Sequence, residues 1–348
     1  MAFKSEEVTA QLQCLQKGGP FQIAHVPKPT TIAPDQVLIH QRVIALNGLD
    51  WKQRDLGIFI SRWPHVLGIE GAGIVELVGS DVKDLQAGDE VTGWMAGRAH
   101  AEDWGGAYQE HVVMPARYVA KKPKNISIEE AASLPICYNT AVCALYSMGL
   151  KIPIPNFSLP AVAEKAPLSI LILGGSSAIG AAAIQLLRLS YPQLPIFATS
   201  SPRNHERLLS LGATKVFDYH SPTLVVDITA TSPDARGVDM ILDCVAAGAT
   251  QTGICDALDI TGSMKYAAVV SGVNVPVPER VSKLDVVGWA LVDMPGGELV
   301  IPALTWLIET GQYRVPLPVK VVGNGLDKVP EVLNQVKSVT GTKLVVTL

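Results

Sequence analysis

Glycine and serine residues interrupt an apolar run that extends from Ser169 to Leu187. The spacing Gly175-x-Ser177-x-x-Gly180 is that of the dinucleotide-binding fingerprint, with serine at the position of the middle glycine. A turn of this kind directs backbone N–H groups and the positive end of a helix toward one point, where a pyrophosphate binds. A tight turn with no ligand is the alternative. The candidate phosphate-binding residues are Gly174, Gly175, Ser176, Ser177, Ala178, Ile179 and Gly180.

The residues after a second apolar segment, Pro195 to Thr199, indicate which dinucleotide binds. An NAD site closes this strand with Asp or Glu, which binds the ribose 2′-hydroxyl. Here the chain continues with Ser200, Ser201, Pro202 and Arg203. Hydroxyl groups and a guanidinium suit a 2′-phosphate, which a carboxylate would repel. We therefore predict NADPH as the cofactor, and a solvated Ser/Pro loop is the alternative.

Strands and helices must position these residues. A buried strand from Ser169 to Leu173 and a helix that begins near Ala178 flank the turn. Further apolar segments alternate with helical ones, which is the pattern of βαβ units and a parallel sheet. We predict the remaining elements as a helix at Asn204–Leu211 and strands at Pro195–Thr199, Lys215–Tyr219, Val238–Cys244 and Met264–Val270.

Composition excludes several classes of function. The 348 residues are 48% hydrophobic and 17% charged, with a net charge of −4, so the chain is globular. Because there is no basic block, nothing indicates a nucleic acid or an anionic membrane as a partner. The N-terminal residues contain no apolar stretch of signal-peptide length, and the five cysteines have no metal-binding or disulfide pattern. We expect a reducing, cytoplasmic location.

The N-terminal part is rich in short strands with little helix, as in a β-barrel. We predict strands at Val37–Val43, Gly71–Val78, Gln86–Val91 and Gly105–Val113. Ser127 and Glu130 form a capping-box pattern that begins a helix. A second helix is predicted from Asn139 to Leu150.

The division that we predict places residues 1–150 in the β-rich part and residues 151–282 in the dinucleotide part. The proline-rich segment Lys151–Pro167 connects them, either as a passive linker or as a surface that faces a partner. Residues 283–348 contain predicted helices at Leu299–Thr310 and Asp327–Ser338 and a final strand at Lys343–Thr347. We expect this last part to lie outside the nucleotide sheet and to complete the N-terminal part.

Taken together, these features resemble the medium-chain dehydrogenase/reductase superfamily over nearly the whole chain. The resemblance is carried by Leu67–Gly73, Gly88–Val91, Gly105–Tyr108, Ala131–Pro135, the turn Gly174–Gly180 and Gly341–Lys343. It implies an α/β fold in which a Rossmann doubly wound parallel sheet is inserted in a GroES-like β-barrel domain. It also implies a nicotinamide cofactor in the cleft between the two domains.

The resemblance makes zinc the first cofactor to test. Zinc-dependent members have a histidine ligand at the position of Ile69 and a cysteine ligand near Asn47. Their structural zinc lobe needs four closely spaced cysteines between about residue 90 and residue 115, and the sequence has none there. We therefore predict no metal, and we interpret His100 and His111 as a pair of surface histidines.

Within the superfamily the chain is most similar to the zinc-free, trans-acting enoyl reductases that serve polyketide synthases. The carriers of this similarity are Asn47–Lys52, Pro135–Ala141, the proline-rich linker, Ser201–Asn204 and Val216–Tyr219. The resemblance implies that Lys52 and Thr140 line the site where cofactor meets substrate. It implies that the 2′-phosphate is held by Ser201, Arg203 and Tyr219. The remaining cofactor contacts that it suggests are Asp50, Trp51, Asn204, Thr342 and Lys343.

Conjugate reduction is the chemistry that needs no metal. Hydride adds to the β-carbon of an α,β-unsaturated carbonyl, and a positioned donor stabilises the charge that develops on oxygen. Lys52 and Thr140 are the candidate donors, and Tyr138 is a candidate proton source. The alternative is that Lys52 is solvated and that Thr140 and Tyr138 only pack or cap a helix.

The sequence is compatible with three functions. The first is reduction of an enoyl thioester, with a small or carrier-bound acyl substrate and a polyketide synthase as the partner. The second is a zinc-free quinone or aldehyde/ketone oxidoreductase. The third is a non-catalytic protein that binds NADPH.

Overall fold

The computed structural model describes residues 7–100, 102–155, 166–269 and 272–348. The chain divides into two compact units. The first unit contains Met1–Ile136 and Ile301–Leu348, and the second contains Cys137–Val300.

In the described residues the first unit is built mainly from strands. Those strands are β1 (Val8–Cys14), β2 (Phe21–Pro27), β3 (Gln36–Ala45), β4 (His65–Val66), β5 (Glu70–Val78), β6 (Glu90–Trp94), β7 (His111–Pro115) and β8 (Val119–Lys121). The second unit contributes β9 (Ile170–Leu173), β10 (Ile196–Thr199), β11 (Lys215–Phe217), β12 (Met240–Asp243), β13 (Lys265–Val269) and β14 (Ser282–Val286). The C-terminal segment returns to the first unit with β15 (Val319–Asn324) and β16 (Lys343–Thr347).

The α-helices are short. They are α1 (Gly48–Leu56), α2 (Ile128–Ala132), α3 (Pro135–Ser147), α4 (Ala178–Ser190), α5 (His205–Ser210), α6 (Leu224–Thr231), α7 (Ala303–Glu309) and α8 (Val329–Val332). Single 3₁₀ turns connect several of them.

Strand β3 organises the first unit. One of its edges pairs antiparallel with β5, and its other edge pairs with β7 along Gln36–His40 and with β16 along Val43–Ala45. Its side chains are largely buried, as the apolar composition predicts. The strand ends at Ala45, two residues before Asn47, so it fixes the start of α1. The predicted barrel-like half is thereby confirmed.

The second unit contains a parallel sheet in the order β11-β10-β9-β12-β13-β14. This is the strand order of a Rossmann fold, and it confirms the predicted doubly wound sheet. All four residues of β9 are buried, because helices cover both faces of such a sheet and its central strand is a continuous apolar run. The turn after β9 therefore lies at the centre of the carboxyl edge.

Most predicted elements are present within one to four residues of their predicted ends, and the capping box at α2 is confirmed. The Ser127 hydroxyl accepts a hydrogen bond from the backbone N–H of Glu130, and the Glu130 carboxylate accepts one from the backbone N–H of Ser127. Helix α3 begins at Pro135 and not at Asn139. Proline suits a first helical position because its missing N–H would have no partner there.

Two expectations for the C-terminal part were wrong. Strand β14 belongs to the nucleotide sheet, although we predicted that residues from 283 onward would complete the N-terminal β-rich part. The strand is a half-exposed edge strand after a proline-rich loop, so it lacks the buried apolar pattern of the other strands. The predicted helix Asp327–Ser338 is the short helix α8 between two 3₁₀ turns, with Pro330 in its first turn.

The division between the units also differs from the expected one, since the chain passes from one unit to the other at residues 136/137 and 300/301 instead of at 150 and 282. Residues 156–165 of the predicted linker, Val270 and the His100 side chain lie outside the described part of the chain. No helix in the described residues has the length and hydrophobicity needed to cross a membrane. All five cysteines are free thiols and are buried.

Candidate functional site

The turn between β9 and α4 is held by the end of β10. The backbone N–H of Gly174 donates to the Thr199 hydroxyl at 3.1 Å, and that of Gly175 donates to the Thr199 carbonyl at 2.9 Å. The Ser177 N–H donates back to the Gly174 carbonyl at 2.9 Å. A hydroxyl residue at the end of the second strand thus fixes the turn that follows the first.

Ser177 caps helix α4. Its hydroxyl accepts a hydrogen bond from the Gly180 N–H at 3.0 Å. The first N–H groups of a helix have no acceptor within the helix, and this cap satisfies only one of them. The N–H groups of Ala178 and Ile179 stand at the first two positions of the helix, where the positive end of the helix dipole suits an anionic group. Serine at the middle fingerprint position therefore replaces glycine with a local cap.

The surroundings or the backbone conformation of each glycine in this turn explain why no side chain is present there. A Cβ on Gly180 would lie 2.4 Å from the Gly174 carbonyl oxygen, so the helix could not approach the turn so closely. A Cβ on Gly175 would lie 2.9 Å from the Ala198 Cβ. Gly174 has a φ of +71°, which other residues seldom adopt. This geometry leaves room for the phosphate group that the sequence predicts here.

The predicted 2′-phosphate residues lie at the same edge of the sheet. Thr199 and Phe217 are in register on the parallel strands β10 and β11, so the residues that follow both strands lie near each other. Ser201 is half-buried, and Arg203 is exposed. Tyr219 is 40% exposed. The structure thus brings these three predicted residues to one edge.

Ser200 and Asn204 form a hydrogen bond within the loop that follows β10. Ser200 is 1% exposed, and its hydroxyl accepts a hydrogen bond from the Asn204 side-chain amide at 3.2 Å. The Ser200 carbonyl lies 3.0 Å from the His205 Nε2, a contact that the sequence did not suggest. Asp218, the carboxylate that follows β11, accepts hydrogen bonds from the backbone and the ring of His220. The hydrogen bond between Ser200 and Asn204, both predicted site residues, therefore helps to fix the conformation of the loop after β10.

A second group of candidate residues surrounds helix α1 in the first unit. The Asp50 carboxylate accepts hydrogen bonds from the Asn47 N–H at 2.8 Å and from the Tyr108 hydroxyl at 2.9 Å. Asp50 has no exposed surface, and burial raises its pKa to about 7. The carboxyl group therefore fixes the start of the helix that carries Trp51 and Lys52.

Lys343 reaches this network from the other end of the chain. Its ammonium lies 2.6 Å from a carboxylate oxygen of Glu70 and donates a hydrogen bond to the Asn47 side-chain oxygen at 2.5 Å. The Asn47 amide donates to the same Glu70 oxygen at 3.0 Å, and the Ile136 N–H donates to the other at 2.9 Å. Lys343 is thus engaged by protein groups, and Thr342 beside it is half-buried.

Trp51 and Lys52 project from α1 and are half-buried. The Lys52 ammonium lies 5.6 Å from the centre of the Trp51 ring, and the Lys337 ammonium lies 4.9 Å from it. Burial lowers the pKa of the Lys52 ammonium below its usual value. A lowered pKa makes this group a better proton and hydrogen-bond donor.

Tyr138 and Thr140 lie on α3 in the second unit. Tyr138 has no exposed surface, and burial raises the pKa of its phenol. Thr140 is 4% exposed. Between them, the Asn139 amide donates to the Gly288 carbonyl at 2.7 Å, which fixes the helix against the 3₁₀ turn at Gly288–Val292. Their roles in binding or catalysis stay predictions.

Comparisons with known proteins agree with this architecture. Residues 33–124 match the family model described as the alcohol dehydrogenase GroES-like domain. The chain is 31% identical to the dehydrogenase orsE of Emericella nidulans over 98% of its own length and 99% of the relative. It is 33% identical to lovC of Aspergillus terreus, named as the enoyl reductase component of lovastatin nonaketide synthase, over 90% and 89% of the two chains.

The chain belongs to the medium-chain dehydrogenase/reductase superfamily. It is therefore an oxidoreductase of a family that uses NAD(P)H. A solved structure of an alcohol dehydrogenase superfamily protein from Novosphingobium aromaticivorans superposes with a TM-score of 0.79 at 21% identity, covering 98% of this chain and 99% of that one. That likeness supports the fold.

The zinc ligands of this superfamily are a useful test of the site. At the two ligand positions that the resemblance identifies, this chain has Ile69, a buried hydrocarbon, and Asn47, an amide. The Asn47 oxygen already contacts the Lys343 ammonium. A second positive charge beside this ammonium would be repelled, so the residues do not fit a catalytic zinc ion.

Sequence reasoning missed two residues of the hydrogen-bond network around α1, and it assigned the wrong burial to a third residue. Glu70 and Tyr108 stand in the motifs that carry the resemblance, but nothing local indicated that they meet Lys343 and Asp50. The expectation that His111 lies on the surface was wrong, because it is only 8% exposed. It lies on β7 directly opposite His40 of β3.

Proposed function

We propose that this protein uses NADPH to reduce the carbon–carbon double bond of an α,β-unsaturated thioester, without a catalytic zinc ion. We propose further that it acts in trans for a polyketide synthase, on a carrier-bound acyl chain. The similarity to lovC, which is named as an enoyl reductase component of a synthase, supports the enoyl reduction and the link to a synthase.

The observation that carries the proposal is the buried contact of Lys343 with Asn47 and Glu70. In the zinc-dependent members of this superfamily, a metal ion polarises the carbonyl oxygen. An amide, a hydrocarbon and a paired ammonium at the corresponding positions supply no such ion. Conjugate reduction places hydride on carbon, and hydrogen-bond donors are sufficient to stabilise the charge on the distant oxygen.

NADPH is the cofactor that the second unit suits. The N–H groups at the start of α4 would hold the pyrophosphate, and Ser201, Arg203 and Tyr219 would hold the 2′-phosphate. The bound cofactor supplies a hydride equivalent from its nicotinamide ring. The loop after β10 carries no carboxylate that would select the unphosphorylated ribose.

The chain's own residues have separate roles in this proposal. Lys52 donates a hydrogen bond to the thioester oxygen, where negative charge develops as the β-carbon gains hydride. The Thr140 hydroxyl donates to the same oxygen or orients the cofactor. A proton then adds to the α-carbon and completes the reduction. Tyr138 is the proposed source of this proton.

The direct test is a steady-state assay of NADPH oxidation with enoyl thioesters, quinones and aldehydes, in the presence and absence of a metal chelator. We expect turnover with the thioesters that chelation leaves unchanged. Faster turnover with quinones would support a zinc-free quinone or aldehyde/ketone oxidoreductase. NADPH binding without turnover on any substrate would support a non-catalytic NADPH-binding protein. Loss of activity on chelation at a temperature where the chelated protein stays folded, restored by zinc, would contradict the metal-free mechanism.

Lys52 and Lys337 provide a matched pair for testing the donor. Both ammonium groups lie against the Trp51 ring, so both substitutions remove the same kind of contact. We expect Lys52→Ala to lower kcat/KM for an enoyl thioester by about 100-fold or more, the usual effect of removing a donor to a developing oxyanion. Lys337→Ala should leave it nearly unchanged. Equal effects would remove Lys52 from the mechanism.

A carrier-bound substrate can be tested in the same assay. If the protein serves a synthase, kcat/KM should be higher for an acyl chain on a carrier protein than for the same chain on a small thiol. Equal values for the two substrates would favour a free small-molecule substrate.

A further inference from the structure

Three potential metal ligands meet on one face of the first unit's sheet. They come from three neighbouring strands: His40 from β3, Glu76 from β5 and His111 from β7. His40 is directly opposite His111, and their rings stack with centroids 4.5 Å apart. The Glu76 carboxylate lies 3.3 Å from the His40 Nδ1 and 3.5 Å from the His111 Nε2. Their register on the sheet creates this group.

The His111 ring is fixed from its other side. Its Nδ1 lies 2.7 Å from the Thr9 hydroxyl of β1, and only 8% of the residue is exposed. Its Nε2 is buried and has no hydrogen-bond partner in the part of the chain that the structure describes. Because the hydroxyl can accept the Nδ1 proton, Nε2 can present its lone pair to an ion near Glu76. Metal-binding histidines are commonly oriented by such a second hydrogen bond.

We propose that His40, Glu76 and His111 bind one divalent transition-metal ion of the zinc type. One ligand atom from each residue lies within 4.8 Å of the other two. Ligands of a tetrahedral zinc ion are roughly 3.4 Å apart, as follows from zinc–nitrogen distances of about 2.0–2.1 Å. One Glu76 oxygen lies 3.3 Å from the His40 Nδ1 and the other lies 3.5 Å from the His111 Nε2, and both distances are close to this value. Two imidazoles and one carboxylate are a common zinc ligand set, and a water molecule completes it.

The neighbouring charges determine how strongly the ion binds. The Lys28 ammonium lies 2.9 Å from one Glu76 oxygen, and Arg42 lies 3.4 Å from the Nε2 of His40, on the ring edge away from Glu76. Lys28 competes with a metal for Glu76, but it also lies 3.6 Å from the exposed Glu7, which can accept it.

This site differs from the zinc position of the superfamily, which involves residues 47 and 69. A bound ion would join the three strands β3, β5 and β7, and it would stabilise the folded first unit in proportion to its affinity. The proposal is therefore independent of the proposed reaction.

The test is a titration of the purified, chelator-treated full chain with Zn²⁺ by calorimetry, together with Co²⁺ as a spectroscopic probe. We expect one equivalent to bind and to raise the melting temperature. His40→Gln, Glu76→Gln and His111→Gln should each weaken binding by about tenfold or more. His220→Gln is the control, because His220 contacts Asp218 in an exposed histidine–carboxylate pair of the second unit. It should leave the affinity unchanged.

Lys28→Met keeps the proposal testable if a ligand variant does not fold. Removal of the competing ammonium should tighten Zn²⁺ binding several-fold, whereas a site elsewhere would not respond. The proposal is overturned if the chain binds no Zn²⁺ at micromolar concentration. It is also overturned if folded Glu76→Gln and His40→Gln bind as the unsubstituted protein does.

Discussion

Lys343 and Glu70 form a buried ion pair, with the ammonium 2.6 Å from the carboxylate oxygen. The Lys343 side chain is 7% exposed and that of Glu70 is 0% exposed. Glu70 begins β5 and Lys343 begins β16, and β3 lies between these two strands. The pair therefore joins the C-terminal strand to the centre of the first unit. Both members of the pair also bond to the Asn47 side chain, which stands at a zinc-ligand position of the superfamily. The same contacts therefore affect the stability of the fold and the chemistry of the candidate site.

We expect Lys343→Met to destabilise the protein by about 3–5 kcal/mol, because it leaves the Glu70 charge buried without its cation. The change is measured as a loss in the free energy of unfolding in urea at neutral pH. The double variant Lys343→Met with Glu70→Gln should recover part of this loss, since no uncompensated charge remains.

The control for this prediction is Lys328→Met. Lys328 pairs with Glu331 at 3.5 Å on the surface, with the two side chains 49% and 72% exposed. Exposed pairs contribute about 0–1 kcal/mol, so this variant should unfold almost as the original does. Equal losses for the two lysine variants would mean that the buried pair contributes little.

Arg203 should determine the preference for a phosphorylated cofactor. We expect Arg203→Ala to raise the KM for NADPH by about tenfold or more and to leave the KM for NADH unchanged, because only the 2′-phosphate meets the guanidinium. Arg280→Ala is the control in the same unit, since Arg280 pairs with Asp256 on the surface. A parallel change in both KM values would show that Arg203 does not recognise the phosphate.

Gly180 should be essential for the phosphate-binding turn. We expect Gly180→Ala to weaken NADPH binding at least about tenfold, because its Cβ would lie 2.4 Å from the Gly174 carbonyl oxygen and would displace the N–H groups of the turn. Gly253→Ala is the matched control, since its Cβ would meet no atom within 4 Å. Binding is followed by NADPH fluorescence, and melting temperatures of the variants separate a local change from unfolding. Unaltered affinity in a folded Gly180→Ala protein would argue against this turn as the phosphate site.

The second unit was predictable because its signals are local. A continuous apolar strand, a glycine turn and a small-residue helix follow each other in the sequence, and Ser200 to Arg203 follow the next strand. The role of Ser177 as a cap was not predicted, since the fingerprint assigns that position to phosphate approach. Strand β14 was missed because an exposed edge strand carries a weak pattern.

The network of the first unit was not predictable in the same way. Lys343 was selected as a cofactor contact from the resemblance, but its ion pair with Glu70 depends on the pairing of β16 with β3. His111 was interpreted as a surface histidine because no cysteine ligands accompany it near the position of the structural zinc lobe. A shift of one residue in register moves every side chain to the other face, so burial in its strand follows from tertiary pairing.

Asp50 should give the protein a stability that falls as pH rises. Burial raises its pKa in the folded state from 3.8 to about 7. Between these two values the folded protein binds a proton that the unfolded chain has released, so the free energy of unfolding decreases with increasing pH. The contribution to the slope is at most about 1.4 kcal/mol per pH unit. We expect Asp50→Asn to remove this contribution. The measurement is the free energy of unfolding in urea as a function of pH, for the original protein and the variant, between 3.8 and about 7.

Asp55 on the same helix is the matched control, because its pKa shifts in the opposite direction. Its hydrogen bond with Arg54 lowers its pKa from 3.8 to about 2. The stability that Asp55 contributes is therefore complete above 3.8 and is lost only as pH falls toward 2. Asp55→Asn should lower stability by a constant amount between 3.8 and 7, without a change in slope. If Asp50→Asn also leaves the slope unchanged, the Asp50 carboxyl is ionised in the folded protein throughout this interval, and the Tyr108 and Asn47 hydrogen bonds outweigh its burial.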